Sequence, residues 1–423
     1  MEEIFERFPG LGKRILQQLD SRNVAESRKV NERWKRFIDQ DKTIWIRRIQ
    51  KHIDYANVSP DWKMVMFKTS TDTVMELATA VGQFYKSKPI RIDNKWSPLH
   101  IIAERGNMRL FQLIIGKTQD INPRNDNGVT PLLLAAQEGH LQISKLIVEN
   151  VEEKNPAKNN GVTPLFVAAQ EGHFEICKLI IENVEEKNLA RNGDGVTPLF
   201  MAAQDGHFEI CELIIKNVLD KNPACTDGET PLLVAAQNGH FEICKLIVEN
   251  VEDKNPPRND GVTPLFWAAQ NGHFEICKLI VENVENKNPP WNDNGDTPLY
   301  KAAQKGHFDI CKLILENVKD KNPASSDGDT PLYIAAKNGH FEICKLILEN
   351  VKDKNPPNII GSTPLNEASK NGHFEICSLI LNQMKNSSSK KIEEKAKDPT
   401  FKENYHLHFF IFGILTIILL KLK

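Results

Sequence analysis

The sequence predicts an all-α protein whose main part is a solenoid of stacked helix pairs. Three observations predict it. Thr-Pro-Leu recurs at Thr130, Thr163, Thr197, Thr230, Thr263, Thr297, Thr330 and Thr363, always 33 or 34 residues apart, with Ser97-Pro98-Leu99 as an earlier relative. The hexapeptide GHFEIC at Gly172–Cys177 returns six more times, once as GHFDIC. A polar run containing Asn and Gly, such as Lys158-Asn159-Asn160-Gly161, leads into each new unit with the chemistry of a turn.

Composition bounds the rest. A formal charge of -2 over 423 residues gives no pull toward nucleic acid or an anionic membrane. Eight cysteines are too sparse for a disulfide scaffold, and no CxxC occurs. The opening MEEIFERF lacks the apolar core of a secretory signal, so the thiols are expected to be reduced and the chain cytoplasmic.

Residues 1–52 are expected to form a first helical domain. Apolar residues fall at helical spacing through Leu11, Ile15, Leu16 and Leu19, then through Val24, Val30, Trp34, Phe37 and Ile38, and Trp45 closes a third segment. Asp20 and Ser21 supply caps between the helices. A proline-led first helix ending in Leu19-Asp20, Val30 eleven residues on, Trp34 four after that and a later Ile44-Trp45 pair resemble the F-box. The resemblance implies docking on a Skp1-like adaptor, and so on a cullin-RING ubiquitin ligase, through Phe8, Pro9, Leu11, Ile15, Leu16, Leu19, Val24, Val30 and Trp34. Phe8-Pro9 stands where that family prefers Leu-Pro, and Gly10 and Gly12 weaken the first helix. A plain helical cap for the stack is the alternative.

Residues 53–94 read as a helical connector, with Trp62, Val65, Met66, Val74, Leu77, Ala78 and Val81 at turn spacing. It either couples the first domain rigidly to the stack or simply links the two.

The repeats occupy 95–383. In the unit starting at Gly161, Thr163 caps a first helix with Pro164 at its first position, Ala168 and Ala169 keep that helix slim, and Gly172 breaks it. Phe174, Ile176, Cys177, Leu179 and Ile180 recur at helical spacing on a second helix. TPLxxAA followed by GHxxI at this period resembles the ankyrin repeat, here in about nine units. The resemblance implies a curved stack of antiparallel helix pairs whose hairpin tips and first helices line a concave, protein-binding face. Only His100 keeps the family's histidine after TPL. The glycine that ends the family's second helix is replaced by valine, as in Asn183-Val184, so Asn183 is expected to take the left-handed turn position.

Histidine and cysteine four residues apart share a helix face, as zinc ligands would. One such pair supplies two of four ligands, and successive thiols fall about 10 Å apart along a helix stack, too far to share an ion. The reading adopted is a buried thiol in place of a core valine, with Cys225 exposed in a hairpin tip and no metal or cofactor.

Compared with one another, the repeats scarcely vary in the second helix. They vary at the tips, before the threonine, and at the second residue after TPL. The family places those positions in its groove. Met201, Glu229, Arg258, Trp267, Trp291, Asp296, Lys301 and Asp329 therefore form the candidate partner-binding surface, the alternative being drift at solvent-exposed sites.

After a polar linker, 384–405, residues 406–423 carry an apolar tail of Phe409, Phe410, Ile411, Phe412, Ile414, Leu415, Ile417, Ile418, Leu419 and Leu420. Twelve helical residues cover about 18 Å against a hydrocarbon core of roughly 30 Å. A short membrane anchor is expected, with a helix capping the stack as its rival. No phosphate loop, nucleophile elbow or HExxH occurs, so the chain is not read as an enzyme. Two functions follow: a substrate receptor of a Skp1-cullin-F-box ligase that binds an unknown protein, or a membrane-tethered scaffold without ligase function.

Overall fold

The computed structural model describes residues 45, 46, 49, 72–74, 76–78, 96–291 and 294–396. Among them every regular element is a helix. Phe8, Pro9, Leu11, Ile15, Leu16, Leu19, Val24, Val30, Trp34 and the tail from Phe409 to Leu420 lie outside the described residues. No helix among the described residues is long and apolar enough to cross a membrane.

Helices alternate between a proline-led and a phenylalanine-led type. The first type begins at Pro98, Pro131, Pro164, Pro198, Pro231, Pro264, Pro298, Pro331 and Pro364. The second begins at Met108 and Leu141 and then at Phe174, Phe208, Phe241, Phe274, Phe308, Phe341 and Phe374. Each threonine acts as read from the sequence: Thr163 Oγ1 accepts the Phe166 N–H at 3.1 Å, and Thr297 does the same for Tyr300 at 3.2 Å.

The chain divides into two compact units, one comprising residues up to Ala235 with Glu242–Val251, the other Ala236–Phe241 with Glu252 onward. In the first unit, Trp45, Ile46, Ile49, Val74, Leu77 and Ala78 are buried in one core with Leu99, Ile102, Leu110 and Phe111 of the first helix pair. Asn107 Nδ2 also donates to Glu76 Oε1 at 3.2 Å. Helical positions before the repeats thus cover the first pair, which has no preceding repeat to bury its apolar side.

The alanine pairs, Ala168-Ala169 in the first unit and Ala302-Ala303 in the second, are fully buried, so first helices pack closely on each other. In the second unit Pro264–Asn271 packs on Pro298–Lys305, and Pro331–Asn338 on Pro364–Lys370.

The left-handed position expected at asparagine is not used. Asn283, Asn317 and Asn350 are the last helical residues, and Val284, Val318 and Val351 follow in extended conformation, Val284 at φ -123°. The asparagine amide closes the helix instead: Asn183 Nδ2 donates to the Leu179 carbonyl at 2.8 Å, and Asn283 Nδ2 to Leu279 at 2.9 Å. Its oxygen accepts a lysine from the preceding hairpin, Lys154 for Asn183 and Lys287 for Asn317. A side chain does the work that glycine's backbone does elsewhere, which removes the need for positive φ.

Candidate functional site

The recurring Gly-His step ties one repeat to the next. His173 Nε2 lies 3.0 Å from the Gln137 carbonyl at the end of the preceding first helix, and His307 and His340 make the same bond to Gln270 and Gln304 at 3.0 and 3.2 Å. Gly172, at φ +80°, leaves room for the next imidazole, since a Cβ there would stand 2.6 Å from His207 Cε1. The thiols are packing groups: Cys177, Cys211, Cys244, Cys277, Cys311 and Cys344 are fully buried, Cys225 and Cys377 half-buried. Burial pushes Cys177, Cys211, Cys311 and Cys344 up to about 12, opposite to a reactive or metal-bound thiolate. Among the described residues no group of three or more His, Cys, Asp or Glu could hold a metal ion.

The candidate surface takes shape in the second unit. Trp267 meets Phe266 edge-on, with ring centroids 6.1 Å apart, and Trp291 meets the same ring at 6.0 Å. Lys301 Nζ reaches 2.6 Å from Asp296 Oδ2 and lies 5.6, 5.8 and 5.6 Å from the Phe266, Trp291 and Tyr300 ring centroids. The side chains of this ion pair are only 13% and 7% exposed. Asn294 Nδ2 supplies Asp296 Oδ2 with a further hydrogen bond at 3.0 Å, so the buried charges are paired and bonded. Both indole N–H groups, of Trp267 and Trp291, are shielded and meet no acceptor among the described residues. Burial pushes the Tyr300 phenol well above its ordinary value, and the carboxylates of Asp296, Asp329 and Asp327 raise it further.

Three of the eight residues singled out from the sequence, Trp291, Asp296 and Lys301, therefore come together, with the ion pair among the Phe266, Trp291 and Tyr300 rings and Trp267 joined to the group through Phe266. Arg258 is tied to Asp260 of its own turn, its Nε donating to Oδ1 at 2.9 Å. Asp329 accepts Asn358 Nδ2 at 2.9 Å. Met201 and Glu229 are half-buried in the first unit. Phe266 and Tyr300, which stand where the family's histidine after TPL would be and are not among the eight, are the further rings that face Lys301. Their alternation between aromatic and aliphatic at this position, Leu233 then Phe266 then Tyr300, was the available signal.

Asparagines of the Lys-Asn motif were also missed. Asn155 Oδ1 accepts the Leu165 N–H at 2.9 Å, and Asn255, Asn322 and Asn355 serve Leu265, Leu332 and Leu365 at the same distance. Each hairpin thereby fixes the start of the first helix that follows it. An open cleft in the second unit, about 670 Å³ beside Arg258, Asn259, Pro289 and Pro290, has carboxylates in Asp253 and Glu285 but no nucleophile paired with a base.

A family model described as "Ankyrin repeats (3 copies)" matches residues 99–191, 183–258, 250–325 and 317–391. No protein with a curated description matches the chain.

Proposed function

The chain belongs to the ankyrin-repeat family of protein-interaction modules, and from that premise we propose that it is a non-catalytic recruiting adaptor. Its repeats take up a target protein, and the segment 1–52 presents that target to a Skp1-containing cullin-RING ubiquitin ligase. One observation carries the reading. Trp45, Ile46, Ile49, Val74, Leu77 and Ala78 share a buried core with the first helix pair, so these positions ahead of the repeats are coupled to them by packing. An adaptor needs that coupling, because a target on a floppy tether spends little time in reach of the ubiquitin donor.

The cluster of Phe266, Trp291 and Tyr300 around Lys301–Asp296, with Trp267 against Phe266, is the proposed anchor for the target, since tryptophan-rich clusters dominate interface energetics. Co-purification of Skp1 with the full chain tests the adaptor role. Binding by the wild type and its loss in a Leu16→Ala, Val30→Ala double variant that still melts cooperatively is the expected outcome. Absence of Skp1 from the intact wild type would sink it.

The same buried core also favours a second reading, in which 45–78 is only the cap that any solenoid end requires and the protein is a scaffold. The apolar tail, 406–423, is proposed as its membrane anchor. Partition of the full chain into lipid vesicles, lost when 406–423 are deleted, is the expected result for that anchor.

A further inference from the structure

The hairpin turns share one backbone plan and differ in how they satisfy their charge. Arg191 N bonds the Val196 carbonyl, Arg258 N that of Val262, and Ser325 N that of Asp329 at 2.8 Å. In the first two turns the arginine that opens the turn pairs with the aspartate that precedes its glycine, Arg191 with Asp194 and Arg258 with Asp260. Each arginine holds its carboxyl below the usual range. The turn at Ser325 keeps the aspartate, Asp327, and adds Asp329, but serine stands where the arginine would be. Neither carboxylate pairs with a basic side chain of the described residues, and Asp327 is exposed.

The turn that packs on it departs in the opposite direction. Ile359 N donates to the Asp327 carbonyl at 3.0 Å and Asn358 Nδ2 to Asp329, so the two turns form one surface. Where other turns carry polar pairs such as Asn159-Asn160 and Asn259-Asp260, this one carries Ile359 and Ile360, 71% and 81% exposed. A Cβ on Gly361 would meet nothing within 4 Å among the described residues. Two isoleucines in water beside two carboxylates that have no basic partner among the described residues are a poor surface for a lone protein and a complementary one for a partner.

We propose that the paired turns Ser325–Asp329 and Asn358–Ser362 dock a basic segment of a partner protein. An arginine or lysine of that segment takes the place left by the missing turn arginine, against Asp327 and Asp329, while a neighbouring apolar side chain rests on Ile359 and Ile360. The chain itself supplies the precedent at Arg191 and Arg258, where a cation fills the equivalent place from within. Asp227 also lacks an arginine, but its turn, Cys-Thr-Asp-Gly-Glu, offers no large apolar residue to accompany it. This inference rests on the repeats being a protein-binding module and is independent of Skp1.

The probe is a phage-displayed library of random peptides, selected against the full chain. Enrichment of peptides in which Arg or Lys adjoins Leu, Ile, Val or Phe is expected, with affinity that weakens as salt rises. Ser325→Arg should weaken those peptides by about tenfold, as would Ile360→Asp, because both restore residues that sibling turns already tolerate. If Ser325→Arg shifts the melting transition, Asp327→Asn replaces it as the readout. Recovery of no peptides, of peptides without basic residues, or of peptides that bind every variant equally would overturn the proposal. Skp1 co-purification, scored on the same preparation, tells failure of this surface from failure of the adaptor reading.

Discussion

At the scale of single residues, burial sets how this protein responds to pH. His100 is fully buried, and burial lowers its pKa to about 4 against the hydrogen bonds it makes. Nδ1 accepts the Ser97 N–H at 3.1 Å, which requires that nitrogen unprotonated, so Nε2–H donates to the Val129 carbonyl at 2.9 Å. The folded state binds the proton less readily than the unfolded chain. Its contribution is complete above the ordinary value near 6.5 and is lost as pH falls toward 4, on the order of 3 kcal/mol in full. Chemical denaturation at pH 7 and pH 5 should show the loss, and His100→Gln should reduce it. The buried thiols act with the opposite sign. Their raised values stabilise the fold below the unfolded value near 9 and that stability is lost as pH climbs toward 12. A thiol reagent at neutral pH should modify Cys225 and Cys377 readily and reach the six buried cysteines only on unfolding. Modification of Cys277 or Cys311 in the native chain would contradict their packing role.

At the scale of the element, each helix pair depends on what its neighbour places against it. Gly339 and Gly372 have nearly the same φ, +81° and +80°, yet only Gly339 faces an imidazole, with His373 Cε1 2.6 Å from where a Cβ would stand. Gly339→Ala should therefore lower stability more than Gly372→Ala, by about 1 to 3 kcal/mol, the backbone penalty being common to both. Equal effects would show that the imidazole moves aside freely. Asn322→Ala removes the acceptor for the Leu332 N–H and should cost about 1 kcal/mol, as loss of a helix cap does.

At the scale of the whole molecule, stability is transmitted between neighbours rather than shared by one central core. Leu77→Ala opens a cavity in the core that covers the first helix pair and should cost about 2 to 5 kcal/mol locally. Hydrogen exchange should rise first in Pro98–Arg105 and Met108–Ile115, fading along the repeats that follow. Uniform loss of protection throughout would show a single cooperative body. Target binding is read at the same scale: Trp267→Ala should weaken capture of a partner by about 2 kcal/mol while leaving Skp1 co-purification unchanged.

The sequence by itself determined the helix pairs and their period. Thr163 and Pro164 set a helix start through a hydroxyl and a fixed φ, and Gly172 sets its end, all within a few residues of chain. Repetition made the family legible for the same reason, since copied local signals need no knowledge of distant contacts. Only the tertiary structure decided what the repeated side chains are for. His173 bonds a carbonyl 36 residues away, Asn283 closes a helix without a left-handed residue, and Lys301 is spent on Asp296 inside a ring of aromatics rather than offered to solvent. It likewise showed that Asp327 and Asp329 have no counterpart of the arginine that pairs with the aspartate in the turns at Arg191 and Arg258. Such pairings depend on which repeat faces which across the stack, and neighbours in space are set by packing rather than by adjacency along the chain.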